Sequence, residues 1–208
     1  MNSVHHKEGK AFFFHSEGGG GKTYVCNTVL ATVRADKHVA LPVASSAIGA
    51  LLLDDGRTAH SRFKIPIPIH ESSTCRIPKN SDLAEVICQT DIIIHDEAPM
   101  MHCHATEALN RTLQDIMDNT KPFGGITMLF CDDFHQTTSV VSRGSRERIV
   151  NASIKKSSLW NHIQVLHLKQ NMHLDRTLES DAFAAWLVVI GAVSGLGPGN
   201  TVRLPANM

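Results

Sequence analysis

A glycine-rich turn followed by lysine and threonine is the first feature of this chain that could do chemistry. It reads SEGGGGKT from Ser16 to Thr23. Glycines let backbone N–H groups approach an anion closely and adopt positive φ, and a helix that begins after them adds the positive end of its dipole. A lysine here can reach the β and γ phosphates of a nucleotide, and a threonine hydroxyl can ligate Mg²⁺. The predicted phosphate-contacting residues are Gly18, Gly19, Gly20, Gly21, Lys22 and Thr23.

One position of this turn departs from the usual phosphate-binding pattern. The pattern Gly-x4-Gly-Lys-Ser/Thr requires glycine where this chain has Ser16. Taken alone, the motif therefore also fits a flexible glycine turn that happens to precede a helix.

Two adjacent carboxylates follow an apolar run in IIIHDEAPM, from Ile92 to Met100. A buried strand that ends in two acids can place one beside a metal ion and the next beside the terminal phosphate. We expect Asp96 to hold Mg²⁺, and Glu97 to orient and deprotonate the attacking water. The pair could instead cap the following helix, but its position about 75 residues after the glycine turn favours nucleotide hydrolysis.

Two further motifs carry weaker signals. In CDDFHQ, after another apolar run, Gln136 could hydrogen-bond both the γ phosphate and the attacking water, although an ordinary polar loop explains the motif equally well. The run from His102 to His104, with a central cysteine, suggests a metal site. Because ligands two residues apart share a metal only on an extended segment, and no second ligand pair is suitably spaced, we favour a polar loop before a helix.

The elements that must position these motifs alternate between strand and helix, which predicts one domain built of parallel βαβ units. Apolar runs predict strands at Ala11–Phe14, Val39–Ala44, Ile92–Ile94, Ile126–Phe130 and Ile163–Leu168. Helical spacing of apolar residues predicts helices at Lys22–Ala35, Ser46–Leu53 and Thr106–Met117. Three prolines predict an irregular excursion from Ile65 to Asn80.

Composition excludes several classes of protein. Of the 208 residues, 42% are apolar and 19% are charged, which is typical of a globular domain rather than a disordered or membrane protein. The 20 basic and 20 acidic residues cancel, so any nucleic-acid contact must be local. The five cysteines show no paired spacing, and the N-terminus has no signal peptide. The apolar run from Phe183 to Val193 is too short to span a bilayer. These features indicate a soluble intracellular protein without a membrane partner.

Eight successive blocks give the chain a specific resemblance. They are GGGGKT, ASSAIGALLL (Ala44–Leu53), GRTAHSRFKIP (Gly56–Pro66), HDEAPM, FGG (Phe123–Gly125), DFHQ (Asp133–Gln136), SSLW (Ser157–Trp160) and LKQNMH (Leu168–His173). In composition and order they resemble the Pif-type DNA helicases of superfamily one, especially those carried by Helitron transposons. The blocks cover nearly the whole chain, and TAHSRFKIP is the most specific of them.

This resemblance implies a P-loop NTPase with a RecA-like parallel sheet and helices on both faces. We expect that domain at residues 11–190, after a disordered stretch at 1–10 and before an irregular tail at 191–208, with the second motor domain missing. The implied activity is ATP hydrolysis with Mg²⁺, coupled to 5′-to-3′ movement on single-stranded DNA in recombination, repair or telomere upkeep, with a nuclear location. The sequence gives no indication of an oligomeric state.

The resemblance also assigns roles to particular residues. Lys22 and Thr23 match the phosphate-binding pair, Asp96 and Glu97 the metal and base carboxylates, and Gln136 the γ-phosphate sensor. The segments that contact single-stranded DNA in this family contain Ser45, Ser46, Thr58, His60 and Phe63. Phe63 fits a core position under a loop as well as a DNA contact, and His60 fits a structural or capping role better than a base contact.

Several departures from the family bear on activity. Ser16, Glu17 and Gly20 replace family residues in the glycine turn, His95 stands where the family has tryptophan, and His135 and His173 replace arginines. Arginine is permanently charged and forks onto phosphate oxygens, whereas histidine near pH 7 is largely neutral. We therefore expect nucleotide binding to survive better than hydrolysis, and unwinding to be lost.

Two alternatives to an active helicase domain remain. One is a nucleotide-responsive DNA-binding module without catalysis, or a transposon relic, because Lys22 and Asp96 are intact beside the histidine replacements. The other is a small P-loop kinase, which the length would fit. Its mobile lid would need Arg143, Arg146 and Arg148, but that block matches a helicase segment better.

Overall fold

A computed structural model of the chain describes residues 4, 9–16, 19–134, 138–168 and 186. In that part of the chain the strands are β1 (Ala11–Ser16), β2 (Val39–Ala44), β3 (Arg57–Thr58), β4 (Thr90–Asp96), β5 (Thr127–Asp132) and β6 (Ile163–Leu168). The helices are α1 (Lys22–Ala35), α2 (Ala47–Leu51), α3 (Ala59–Phe63), α4 (Asp82–Gln89), α5 (Cys103–Ile116) and α6 (Arg146–Asn151). Short 3₁₀ helices lie at Ala98–Met100, Pro122–Gly125, Ile154–Lys156 and Ser158–His162.

The strands form one sheet in the order β3-β2-β4-β5-β1-β6, and every pairing between them is parallel. Alternate residues of the strands β1, β2, β4 and β5 face two separate cores. Phe13, Ile93 and Phe130 pack with buried residues of α4 and α5 on one face. Ile94 and Leu129 pack with buried residues of α1 on the other. Because side chains alternate across a strand, burial of both sets requires cover on both faces. The predicted parallel sheet with helices on both faces is confirmed.

Most of the predicted elements are present, and the differences lie at their ends. The bounds of α1, β2 and β6 are those predicted. Strands β4 and β5 continue past their apolar runs to Asp96 and Asp132, because backbone pairing in the sheet extends to polar residues that apolar spacing cannot detect. The predicted helix at Ser46–Leu53 is shorter, with Ser46 as the N-cap of α2.

Apart from the short 3₁₀ helices, four elements were not predicted: β3, α3, α4 and α6. Strand β3 has two residues, too few to show a period. Helix α4 does carry a signal, since Ser81 accepts a hydrogen bond from Ala84 N as its N-cap and Glu85 lies in its first turn. The chain between α3 and α4 contains no helix or strand, as predicted for Ile65 to Asn80. The predictions for residues 1–10 and 191–208 fall largely or wholly outside the described residues.

None of the helices in the described ranges has the length and apolar character needed to cross a membrane.

The 3₁₀ turn before β5 is held in an unusual backbone conformation. Phe123 and Gly124 have φ of 53° and 64°, in the left-handed region. Phe123 N donates a 2.7 Å hydrogen bond to Asn110 Oδ1 of α5. A Cβ added to Gly124 would lie 2.5 Å from the Leu113 carbonyl oxygen. Glycine at 124 is therefore required both by the backbone conformation and by the close approach of α5.

We expect Gly124→Ala to lower the free energy of unfolding by about 2 kcal/mol or more, because the methyl group meets backbone and the left-handed conformation disfavours alanine. Urea denaturation at neutral pH measures the change. Gly144→Ala is the control for a steric contact without positive φ: its Cβ would lie 2.8 Å from Val141 Cγ1, a side chain in an exposed loop that can shift, so we expect a smaller loss. Equal losses in the two variants would contradict the proposed strain at Gly124.

Candidate functional site

Most of the predicted site residues that the structure describes lie at one end of the sheet, together with Ser16 and Asp132, which were not predicted as site residues. Ser16 ends β1 before the glycine turn, Asp96 ends β4, and Asp132 ends β5. Ser45 directly follows β2, and Thr58 ends β3. Because all strands are parallel, these carboxyl ends face the same side, which is where ligands bind in open α/β sheets. We call this region the carboxyl end of the sheet.

The glycine turn (residues 17–21) uses the conformational freedom of glycine. Gly19 and Gly21 have φ of 80° and 76°, in the region that favours glycine. Gly21 is the N-cap of α1 and provides no side-chain acceptor for the first helical N–H groups. Lys22 Nζ donates a 3.0 Å hydrogen bond to the Ser16 carbonyl oxygen, which closes the turn. Glu17 and Gly18 lie outside the described residues.

Asp96 is a buried carboxylate, 6% exposed, at the end of β4. Burial raises its pKa to about 6, and the carboxylates of Asp132 and Glu97 add to the rise. A hydrogen bond from Glu97 N to Asp96 Oδ1 and the Lys22 ammonium lower the pKa in turn. Lys22 is therefore close enough to act on Asp96. A desolvated carboxylate gains from a nearby cation, so this residue fits the metal-binding role predicted for it.

Asp132 is a second buried carboxylate at this site, and the sequence interpretation missed it. It ends β5, is 3% exposed and pairs in register with His15 of β1. Its Oδ1 accepts a 2.6 Å hydrogen bond from Asp133 N. The signal was an apolar run followed by two acids, the same pattern that identified Asp96. The motif was instead interpreted through Gln136, which lies outside the described residues.

Glu97 turns its carboxylate toward β2. Its backbone has φ of 54° and ψ of 31°, a left-handed conformation that is uncommon outside glycine. Oε2 accepts a 3.0 Å hydrogen bond from Ser46 N, in the segment that follows β2. The carboxylate also packs against Gly49, where an added Cβ would lie 2.6 Å from Oε2. The candidate base thus contacts the segment predicted to bind DNA.

The hydroxyls predicted to bind DNA make local hydrogen bonds. Ser46 Oγ accepts from Gly49 N at 2.9 Å and caps α2, and Thr58 Oγ1 accepts from Ser61 N at 3.3 Å and caps α3. Ser45 Oγ lies 3.1 Å from His95 Nε2. A hydroxyl that accepts one hydrogen bond can still donate its proton to a phosphate oxygen.

The two remaining residues of the predicted DNA-binding set are more enclosed. Phe63 is fully buried in the core on the α4–α5 face, so the structure supports the core role left open for it. The Phe63 ring therefore has no exposed face on which a base could stack. His60 is partly buried, and burial lowers its pKa. It acts on the neighbouring His95, whose pKa is lowered to about 4 mainly by burial, so both rings favour the neutral form.

The run His102, Cys103, His104 forms the start of α5. Its potential ligand atoms lie within 4.8 Å of one another. His102 Nδ1 accepts a hydrogen bond from His104 N and caps the helix. Cys103 Sγ donates to the Asn151 carbonyl oxygen at 3.6 Å. These contacts give two of the three side chains structural roles. The predicted polar loop is wrong at this point, because Cys103 and His104 lie in the first turn of α5. Whether the run binds a metal stays a prediction.

The raised pKa of Asp96 predicts that its charge destabilises the ligand-free protein. The folded state holds the Asp96 proton more tightly than the unfolded state, whose carboxyl has the ordinary value of 3.8. The penalty is therefore full above about pH 6 and disappears as the pH falls toward 4. We expect Asp96→Asn to raise the free energy of unfolding at pH 7.5 by on the order of 2–3 kcal/mol.

Urea denaturation between pH 4 and pH 7.5 measures this difference, which should shrink at the acidic end. The exposed Asp54 provides the matched control, because Asp54→Asn should leave stability unchanged at every pH. If Asp96→Asn is no more stable than wild type at pH 7.5, burial of the charged carboxylate does not destabilise the folded protein, and the prediction is wrong.

Comparisons with known proteins point to one family. A model of the PIF1-like helicase family matches residues 1–196. The ATP-dependent DNA helicase Pif1 of Psychrobacter sp. is 30% identical over 166 residues, which are 79% of this chain and 25% of that protein. The human ATP-dependent DNA helicase PIF1 is 25% identical over 165 residues, 74% of this chain and 25% of that protein.

Solved structures agree with the sequence comparison on the fold. The Bacteroides Pif1 helicase in complex with ADP-AlF3 and ssDNA matches with a TM-score of 0.75 and 20% identity, over 92% of this chain and 44% of that one. The Pif1 helicase of Candida albicans matches with a TM-score of 0.70 and 21% identity, over 100% of this chain and 49% of that one. The predicted RecA-like fold is confirmed.

The chain spans a quarter of the length of these two curated relatives and less than half of these two solved helicases. The family model nevertheless matches nearly all of it. On that match, together with a glycine turn, lysine and buried aspartate at the carboxyl end of a parallel sheet, the chain belongs to the PIF1-like helicase family.

Proposed function

We propose that this chain is the ATP-binding motor domain of a DNA helicase, in which ATP binding and hydrolysis are coupled to unwinding. The observation that carries the proposal is the meeting of the glycine turn, Lys22 and Asp96 at the carboxyl end of the sheet. The proposed ligands are ATP, Mg²⁺ and single-stranded DNA, and the Bacteroides relative was solved with a nucleotide analogue and ssDNA.

Each residue of the site has a proposed role in this function. The backbone amides of the glycine turn and the ammonium of Lys22 bind the phosphates. The Thr23 hydroxyl and Asp96 would hold Mg²⁺, which when bound neutralises charge on the β and γ phosphates. Glu97 takes the proton of the attacking water, and Gln136 contacts the γ phosphate.

Single-stranded DNA is proposed to cross the carboxyl end of the sheet beside β2 and β3. Ser45, Ser46 and Thr58 lie there, and their hydroxyls suit phosphate oxygens. This placement puts the DNA next to the nucleotide site rather than on a distant surface. The implied roles in recombination, repair and telomere upkeep, and the nuclear location, stay predictions.

A second candidate function is a module that binds nucleotide and DNA without catalysis. The observation in its favour is the Glu97 carboxylate, which is already engaged within the protein because it accepts a hydrogen bond from Ser46 N. The histidines at 135 and 173, which stand in place of family arginines, fall outside the described residues. The prediction that binding survives better than hydrolysis therefore stays a prediction.

Titration calorimetry with Mg·ATP tests the proposal directly. We expect the wild-type chain to bind, and Lys22→Ala to bind at least about tenfold more weakly, because the ammonium contact with the phosphates is lost; tenfold corresponds to about 1.4 kcal/mol. Lys37→Ala is the matched control, since the exposed Lys37 precedes β2 at the opposite end of the sheet. Failure of the wild-type chain to bind, or equal affinities for wild type and Lys22→Ala, would refute the proposal.

Phosphate release with single-stranded DNA present separates the two candidates. Release that depends on Lys22 supports the motor domain. Binding without release in this chain, and also after an intact second motor domain is appended, supports the module without catalysis.

A further inference from the structure

The Glu97 carboxylate lies on the side of β4 that faces away from the glycine turn. In the sheet order, β4 is two strand spacings from β1 and β2 is three. Those separations are roughly 10 Å and 14 Å. Glu97 lies at the end of β4, but its Oε2 is bound to Ser46 N just beyond β2. The hydrogen bond thus ties the candidate base to the segment after β2, on the side of β4 opposite to β5 and β1.

Two features of the segment after β2 create the place that the carboxylate occupies. Ser46 N donates a hydrogen bond to a charged acceptor, which is stronger than one between neutral groups. Gly49 leaves room for the carboxylate, since a Cβ there would lie 2.6 Å from Oε2 and 2.8 Å from Cδ. The left-handed backbone of Glu97 is a conformation that persists only when the surroundings impose it.

Further hydrogen bonds join the same two segments. Ser45 N donates to the Asp96 carbonyl oxygen at 3.1 Å, and Ser45 Oγ lies 3.1 Å from His95 Nε2. His95 Nδ1 is buried without a hydrogen-bond partner, so the ring is held through its Nε2 contact with Ser45. The segment after β2 is therefore joined by hydrogen bonds to the end of β4, where Asp96 lies.

We propose that Ser46 N and Gly49 are positioning groups that hold Glu97 away from the nucleotide until single-stranded DNA binds at Ser45 and Ser46. The inference rests on the proposed function, which supplies the DNA contact and the base role. A DNA phosphate bound by the serine hydroxyls brings a second negative charge beside the carboxylate. Like charges at short range repel. DNA bound at Ser45 and Ser46 therefore weakens the hydrogen bond between Glu97 and Ser46 N, and that hydrogen bond in turn weakens DNA binding.

Release of Glu97 would then permit hydrolysis. Freed from Ser46 N, the carboxylate can turn toward the glycine turn and accept a proton from water. The water oxygen forms a bond to the γ phosphorus, the bond to the ADP oxygen breaks, and the proton passes to Glu97. DNA binding and base positioning are thereby coupled.

Coupling of this kind is reciprocal, so it can be measured as DNA affinity whether or not the chain hydrolyses ATP. We expect Gly49→Ala, whose methyl excludes the carboxylate, and Glu97→Ala, which removes it, each to bind an oligo-dT strand at least about fivefold more tightly than wild type without nucleotide. Fluorescence anisotropy measures the affinities. Damage to the fold would weaken binding rather than tighten it.

Two controls make the result specific. Glu85→Ala removes a carboxylate from an exposed position on α4, and should leave the affinity within about twofold of wild type if net charge alone has little effect. The double variant Gly49→Ala, Glu97→Ala should bind no more tightly than Glu97→Ala alone, because both changes act on the same contact.

Unchanged or weaker DNA binding by the two single variants, or additive gains in the double variant, would overturn the holding role while leaving the proposed function intact. A wild-type chain that binds Mg·ATP but no single-stranded DNA would overturn both the DNA part of the proposed function and this inference.

Discussion

The buried carboxylate of Asp96 is the interaction on which the site depends. Parallel pairing places the ends of β1, β4 and β5 side by side, so Asp96 and Asp132 are forced together where water is largely excluded. Burial is the largest cause of the raised pKa of Asp96, the Asp132 and Glu97 carboxylates add to the rise, and the Lys22 ammonium opposes it. A divalent cation bound beside Asp96 would offset the cost of burying its charge.

The sequence predicted those parts of the protein that depend on local pattern. Helix α1 follows a glycine turn and repeats its apolar residues at helical spacing, and β2 and β6 are short apolar runs, so their bounds were predictable. Asp96 was identified because an apolar strand ends there. The orientation of Glu97 could not be predicted, because it depends on an amide and a glycine about fifty residues away in the chain.

The roles of Phe63 and His95 depend on burial in the folded protein, which the local sequence pattern does not show. Phe63 occurs in a block that resembles a DNA-contacting segment, yet its ring packs in a core assembled from distant strands and helices. His95 shows the same dependence, since its neighbour Ser45 lies in the segment after β2 and its neighbour His60 lies in α3. The His95 ring is buried, burial favours its neutral form, and its contact with Ser45 joins β4 to the segment after β2.

The missing side chain at position 49 gives a marker for reading other sequences. A chain with any larger residue there cannot place its glutamate as this one does, because the space is already taken. Inspection of that single column in an alignment would separate relatives able to adopt the arrangement from those that must orient the acid in another way. The size of the residue at position 49, rather than its charge, then distinguishes the two groups of relatives.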